Sequence, residues 1–444
     1  MGIVCIGLLP RAQAVSPPPP GGYPNFTTAA GEHALQALTS GLGNTAIGTF
    51  SLFSVTTGSF NTAVGAGALD LNTANSNTAT GAAALLFNTI GTENTANGTA
   101  ALEFNDTGSQ NTANGAFALF NNTTGEGNTA SGDRALFSNG AGATGDGNLP
   151  LGSFNSAFGS LALMSNTDGT ANSAFGWSAL VSNTTGSSNT ATGFQALGDN
   201  TIGIFSTASG DSALRHNTTG NDNTAIGHSA LFNNTTGILN VALGANAGGN
   251  VITANNVICV GASLPGANVS NTCFIGNIRG VTTQNANAIP VLIDTAGQLG
   301  TMSFSRRFKR EIKAMDQASE AILALKPVTF HYKSDDTSTP QFGLIAEDVA
   351  EVDPDLVVRD QNGDIYTVRY DAVNAMLLNE FLKEHRKLQE QEATIALLKS
   401  TDEKREATTA KQQKQIEALT AGLQKVSAQL ELNKPPPQTV QNSQ

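Results

Sequence analysis

The sequence predicts a mainly β protein: a parallel β-solenoid (β-roll) shaft, then a small α+β domain and a long coiled-coil helix. Three observations predict it. A motif of about 17 residues recurs through residues 40–280. The texture of the chain changes abruptly after Gly280. Beyond Asp371, apolar residues fall at heptad spacing.

Composition sets the outer bounds. Of 444 residues only 13% are charged, 47 are Gly and one is Trp, whereas ordinary globular chains carry about a quarter charged residues. That excludes the usual make-up of an enzyme of this length. The glycines follow no three-residue period, which excludes collagen. Residues 1–300 hold 4 Lys+Arg and 13 Asp+Glu, so most of the net charge of −12 lies there. No basic face offers itself to nucleic acid.

At the N-terminus, residues 2–9 (GIVCIGLL) are apolar and Ala12-Gln13-Ala14 fits the small-x-small rule, so residues 1–14 are predicted as a signal peptide, without a basic n-region. A secreted or cell-surface location follows, with a virion fibre as the alternative. No run reaches the ~20 apolar residues that span a bilayer. Residues 15–39, with Pro17–Pro20 and Gly21-Gly22, read as a stiff leader. Cys5 would leave with the signal; Cys259 and Cys273 can pair or remain small core residues.

In the shaft, Asn-Thr-Ala-x-Gly or a variant begins at Asn44, Asn61, Asn77, Asn94, Asn111, Asn128, Asn155, Asn172, Asn189, Ser206, Asn223 and Asn240. Steps are 17 residues, apart from one of 16 and one of 27. The consensus is N-T-A-x-G-x-x-A-L-x-x-N-T-T-G-x-x. Two packed helices need about 33 residues or more; 17 accommodate two short strands and two turns. Thr-Ala-x and Ala-Leu-x are the predicted strands, and Asn-Thr-Thr-Gly supplies turn chemistry. Stacked at ~4.8 Å, such coils make a solenoid ~60 Å long. Ala and Leu columns then fill a thin interior, Asn forms ladders along the axis, and Gly in the fifth slot marks a bend without room for a Cβ. The 27-residue step carries Gly140–Gly147, a predicted loop.

These Asn-x-x-x-Gly coils resemble the head repeats of trimeric autotransporter adhesins, which implies a β-roll that associates in threes. A thin coil buries little apolar area per residue, so a homotrimer is physically sensible. The shaft shows no site for chemistry. Asp70, Glu103, Asp133 and Asp211 suggest no convergent pair of the kind glycoside hydrolysis needs. His33, His216 and His228 lie outside any metal spacing, and no cofactor is predicted. Trp177 and the Phe residues read as core or trimer contacts rather than sugar platforms, leaving a surface glycan or receptor as the partner to consider.

Residues 281–302 form a linker with a short strand and turn. Residues 303–375 read as a compact α+β unit: a basic run Ser303–Lys313, an amphipathic helix near Asp316–Leu325, a strand at Pro327–Tyr332, Phe342–Val349 running into a helix, and a hairpin around Asn362-Gly363. Arg307-x-Lys309, Ala324–Val328, Tyr332-Lys333, Gly343–Ala346 with Val349, Pro354 with Leu356-Val357, and Val368-x-Tyr370 resemble the intramolecular chaperone domain of phage endosialidases and tailspikes. The resemblance implies a module that trimerises, guides the upstream fibre into register and is often cut off. A carbohydrate-binding or depolymerising tailspike is the alternative that it brings.

In that family a Ser attacks the peptide bond before itself, with a Lys five residues later as base. Lys309 matches the base, but the serine position is Phe304. Ser303 and Ser305 are the candidates for a displaced nucleophile, although one step turns an extended chain's side chain to the opposite side. At most, then, the chain is an endopeptidase acting once on itself, and retention of the module is the expectation. His331 is a lone histidine on a strand, read as structural rather than as an alternative base.

Residues 376–432 are the predicted coiled coil. Phe381, Leu388, Ile395, Ile416, Leu423 and Leu430 share one heptad column, interrupted at Asp402 and Thr409. Leu377, Leu398, Leu419 and Val426 share the other, which is polar at Glu384, Gln391, Arg405 and Gln412. Residues 433–444 read as a disordered tail.

Overall fold

The structure, a computed structural model, describes residues 24–140, 151–279, 281–283, 288–294, 297–333, 335–360 and 362–435. The predicted signal, the first part of the leader (15–23), the loop of the long step and residues 436–444 of the predicted tail lie outside the described residues. The chain divides into two compact units between Thr282 and Thr283.

The first unit is the solenoid. Fifteen short strands, from β1 (Thr28–Ala30) to β15 (Thr272–Ile275), form one parallel sheet in chain order. Equal slots face one another: Ala174 pairs with Ala191, and Ala208 with Ala225. The central Ala is fully buried in coil after coil, as at Ala113, Ala174 and Ala225. The long step leaves the sheet unbroken. β7 (Thr129–Ser131) pairs with β8 (Ser156–Phe158) in the common register, Ala130 opposite Ala157.

Each coil contains one strand, not two. The Ala-Leu segment is a turn in which slots seven and nine both have positive φ, as at Ser178 (54°) and Leu180 (53°). The reason lies in the burial of neighbours. Ala179 and Leu180 are both 0% exposed, whereas successive side chains of a strand point to opposite faces. Alternating right- and left-handed residues bring both inward. That conformation costs about 1–2 kcal/mol per left-handed residue. Hydrogen bonds between coils offset it: Leu180 N donates to Ala196 O at 3.0 Å, and Ser178 N to Ser160 O at 3.0 Å.

Two asparagine ladders run along the interior. In slot one, each Asn Oδ1 accepts from the backbone N–H of the next coil's slot-one residue, as from Asn172 N to Asn155 Oδ1 at 3.0 Å. In slot twelve, Asn183 Nδ2 donates to Asn166 Oδ1 and to Gly186 O, both at 2.8 Å. These side chains are fully buried and tolerable there because they are paired. Slot five confirms its glycine. Gly176 has φ 138°, and a Cβ would stand 2.4 Å from Gly193 O.

The second unit is built from small sheets and one long helix. β16 (Leu292–Ile293) pairs antiparallel with β17 (Leu299–Gly300), β18 (Val328–Phe330) with β19 (Gln341–Gly343), and β20 (Val357–Arg359) with β21 (Ile365–Val368). The segment Asp316–Ala324 is a 3-10 helix rather than an α-helix. α1 spans Ala346–Val352 and α2 spans Tyr370–Leu432. Val349, Leu356, Val357, Val368 and Met376 make the core.

Candidate assembly and processing site

The junction ahead of the second unit's core carries the residues suggested for cleavage. Ser303, Phe304, Ser305 and Lys309 are all exposed. Ser305 opens a 3-10 turn, Arg306–Phe308, without a side-chain capping bond. Lys309 Nζ lies 4.6 Å from the centre of the Phe304 ring, a cation–π contact. Among the described residues no hydrogen bond joins Lys309 to Ser303 or Ser305; Ser303 Oγ instead accepts from Ser305 N at 3.4 Å. Lysine and position 304 are thus neighbours, but position 304 carries no nucleophile. His331 is exposed beside β18.

A polar cluster that the sequence did not suggest joins the 3-10 helix to α2. Ser319 is fully buried. Its Oγ donates to Glu380 and accepts from Asn379 Nδ2 at 2.7 Å. Lys383 Nζ lies 2.7 Å from Glu380 Oε1 and 3.5 Å from Glu320 Oε1. The hydrogen bond from Lys383, followed by that from Ser319, holds the Glu380 carboxyl below its usual range. The same contact with Glu380 raises Lys383.

Beside this cluster runs an open apolar groove of about 710 Å³, whose walls include Ile322, Leu325, Val328, Phe342, Tyr370 and Leu377. Tyr370 Oη, in its wall, accepts from Leu344 N at 3.0 Å. Tyr370 and Leu377 are seven residues apart, as are Asn374 and Phe381, so the two heptad columns of α2 run back into the groove. Further along the helix those columns are bare: Phe381 is 64% exposed and Leu423 69%.

On the shaft, the aromatics are surface residues rather than core. Phe158 stacks on Phe175 and Trp177 on Phe194, each with ring centres 5.0 Å apart, one coil upon the next. All four are 40–48% exposed. Asp70 and Glu103 share slot ten two coils apart, a coincidence hidden by their separation in sequence. Burial pushes both carboxyls above their usual range. His216 Nδ1 lies 2.7 Å from Asp199 Oδ2. Cys259 is buried, Cys273 is exposed, and both are free. Cys273 lies opposite Ile258 rather than Cys259; adjacent positions on a strand face opposite ways, so the thiols are not aimed at each other.

Residues 305–358 match the family model described as chaperone of endosialidase. The pieces from Arg307 to Val357 that suggested this module lie within that range. No curated protein and no solved structure matches the chain. A solenoid followed by this module fits a tailspike- or fibre-like protein. Among the described residues, no helix is long and apolar enough to cross a membrane.

Proposed function

We propose that the chain is a homotrimeric secreted or surface fibre, adhesin-like in its shaft, whose C-terminal module drives trimerisation and folding and stays attached. One observation carries this reading: directly after the chaperone-like segment, α2 presents exposed apolar residues in two heptad columns, and an apolar groove, with no partner among the described residues. Three copies would cover them as a coiled coil. The solenoid needs such a clamp because every slot resembles its neighbours, so register is poorly specified. Three chains aligned at one end zip at high effective concentration.

The experiment is truncation. Loss of residues 301–444 should yield aggregated or single-chain shaft, and a soluble trimer formed without them would overturn the reading. Processing is tested separately by denaturing electrophoresis. Unaltered protein and Lys309→Ala should both run full length, because Phe304 leaves Lys309 without a hydroxyl to activate. A shorter band in the unaltered protein that Lys309→Ala abolishes would instead implicate Ser303 or Ser305.

The exposed Trp177 pair supports a second reading, carbohydrate binding by the shaft. Against it, the stacked rings spend a face on each other and turn their edges outward, a poor platform for a sugar ring. A glycan array decides; specific binding lost in Trp177→Ala would favour the second reading.

A further inference from the structure

The middle of α2 breaks the apolar columns with two charges of opposite sign, Asp402 in the Phe381 column and Arg405 in the Leu377 column. Within one chain they form only a loose contact, Arg405 Nη1 to Asp402 Oδ1 at 3.9 Å, with side chains 80% and 74% exposed. A pair this open to solvent does little for a single helix. Yet the positions are those that face a partner. The spacing of four from Leu377 to Phe381 and three from Phe381 to Glu384 makes the Phe381 column a and the Leu377 column d. The break is therefore a negative a layer directly followed by a positive d layer.

We infer that Asp402 and Arg405 are a register lock between copies of this chain, aligning their α2 helices parallel and without slip. This inference rests on the assembly reading above and names the geometry of that same surface. In a parallel coiled coil each a residue enters a hole formed by four residues of the facing helix. For Asp402 in register, that hole includes the second copy's position 405. Acid meets base across the seam in every chain. A slip of one heptad sets at least one Asp402 against Ile395 and Leu398 and leaves a charge buried among apolar neighbours, which costs far more than the pair returns. The outer positions agree. In a parallel arrangement a g residue faces the e residue five further on, which places Lys387 opposite Glu392. Within its own chain Lys387 makes only a 3.8 Å contact to Glu384.

The lock answers the weakness of the shaft. Twelve near-identical coils cannot report their own alignment, whereas an acidic layer followed directly by a basic one occurs once in α2. A single polar layer at this kind of position is the best-attested means of fixing register and strand number, at a cost in stability.

The test uses the full chain with two readouts. Asp402→Arg and Arg405→Asp each place like charges in neighbouring layers. Each should weaken self-association about thirtyfold or more, and the double reversal D402R/R405D should restore most of it. Ile416→Cys, at an a position, reports alignment. Parallel helices in register form a 416-to-416 disulfide under mild oxidation, with the parent chain as control for Cys5, Cys259 and Cys273. An assembled protein whose association ignores both single reversals, or which forms no 416-to-416 bridge because its helices are antiparallel or slipped, overturns the lock while assembly stands. A single-chain mass for the unaltered protein overturns the assembly reading itself.

Discussion

The solenoid and the C-terminal unit reach order by opposite routes. In the shaft one set of contacts is repeated: the same alanine against the same alanine, the same asparagine ladder, the same glycine under the same carbonyl. In the C-terminal unit each contact is made once, by the five core residues and by Ser319 among Asn379, Glu380 and Lys383. Repetition makes damage local, because each coil touches only its neighbours. Uniqueness makes damage global, but it also carries positional information that repetition lacks. The difference explains why a fibre of this type would place its assembly device outside its repeats.

The comparison can be broken most forcefully in the tail. Leu356→Ala removes one of five core residues and should cost about 2–5 kcal/mol, enough to unfold so small a core. Loss of the proposed trimer, leaving aggregated or single-chain shaft, read by light scattering and circular dichroism, is the expected result. A stable trimer would place the assembly determinants elsewhere.

Gly176→Ala is the severest single change available in the shaft. It combines positive φ with a Cβ 2.4 Å from Gly193 O, strain of about 1–3 kcal/mol before any backbone shift. Hydrogen exchange should show opening confined to the coils around 159–193, with distant coils protected. Global unfolding would contradict the local character of the repeat.

Asn183→Ala tests the ladder. It leaves Gly186 O without the bond from Asn183 and Asn200 Nδ2 without its acceptor in the coil before. The cost should be about 1–3 kcal/mol, seen as a lower midpoint of shaft unfolding in denaturant. An unchanged midpoint would mean that the ladder satisfies itself in another way.

The smallest effect sharpens the contrast through pH. In the shaft, burial raises Asp70 and Glu103. Raised carboxyls bind protons more tightly when folded, so the shaft gains from acid, and that gain is lost as pH rises through their folded values. In the tail Glu380 is depressed, and its contribution is lost as pH falls below the ordinary value of 4.5. Acidification should therefore loosen the tail before the shaft. Asp70→Asn with Glu103→Gln should raise the neutral-pH shaft midpoint by no more than about 2 °C, since both groups are only partly buried. The reverse order of acid unfolding would contradict these assignments.

Much of the shaft was legible because its period is its structure. Gly in slot five, the Ala column and the Asn ladders each follow from one residue type recurring at one spacing. The second expected strand is a turn, and the sequence holds the clue: two adjacent apolar residues, Ala-Leu, cannot both face inward from a pleated strand. The sheet also extends beyond the Asn-led copies, to Thr28–Ala30 and Thr272–Ile275. There the first slot has drifted, but Gly31 and Gly276 still keep the fifth. The Ser319 cluster was invisible for a different reason. Its partners lie some 60 residues away, and no periodicity links a serine on a 3-10 helix to a glutamate on α2. At the junction, the mismatch at Phe304 was plain from the chain alone; that Lys309 rests on its ring is a fact of geometry.

The mass of the full chain in dilute solution, by light scattering or native mass spectrometry, puts the whole account at risk. The proposed assembly predicts a mass of three chains of 45.6 kDa each. A folded, stable particle of one chain would show that the shaft needs no companions and that the helix has another purpose.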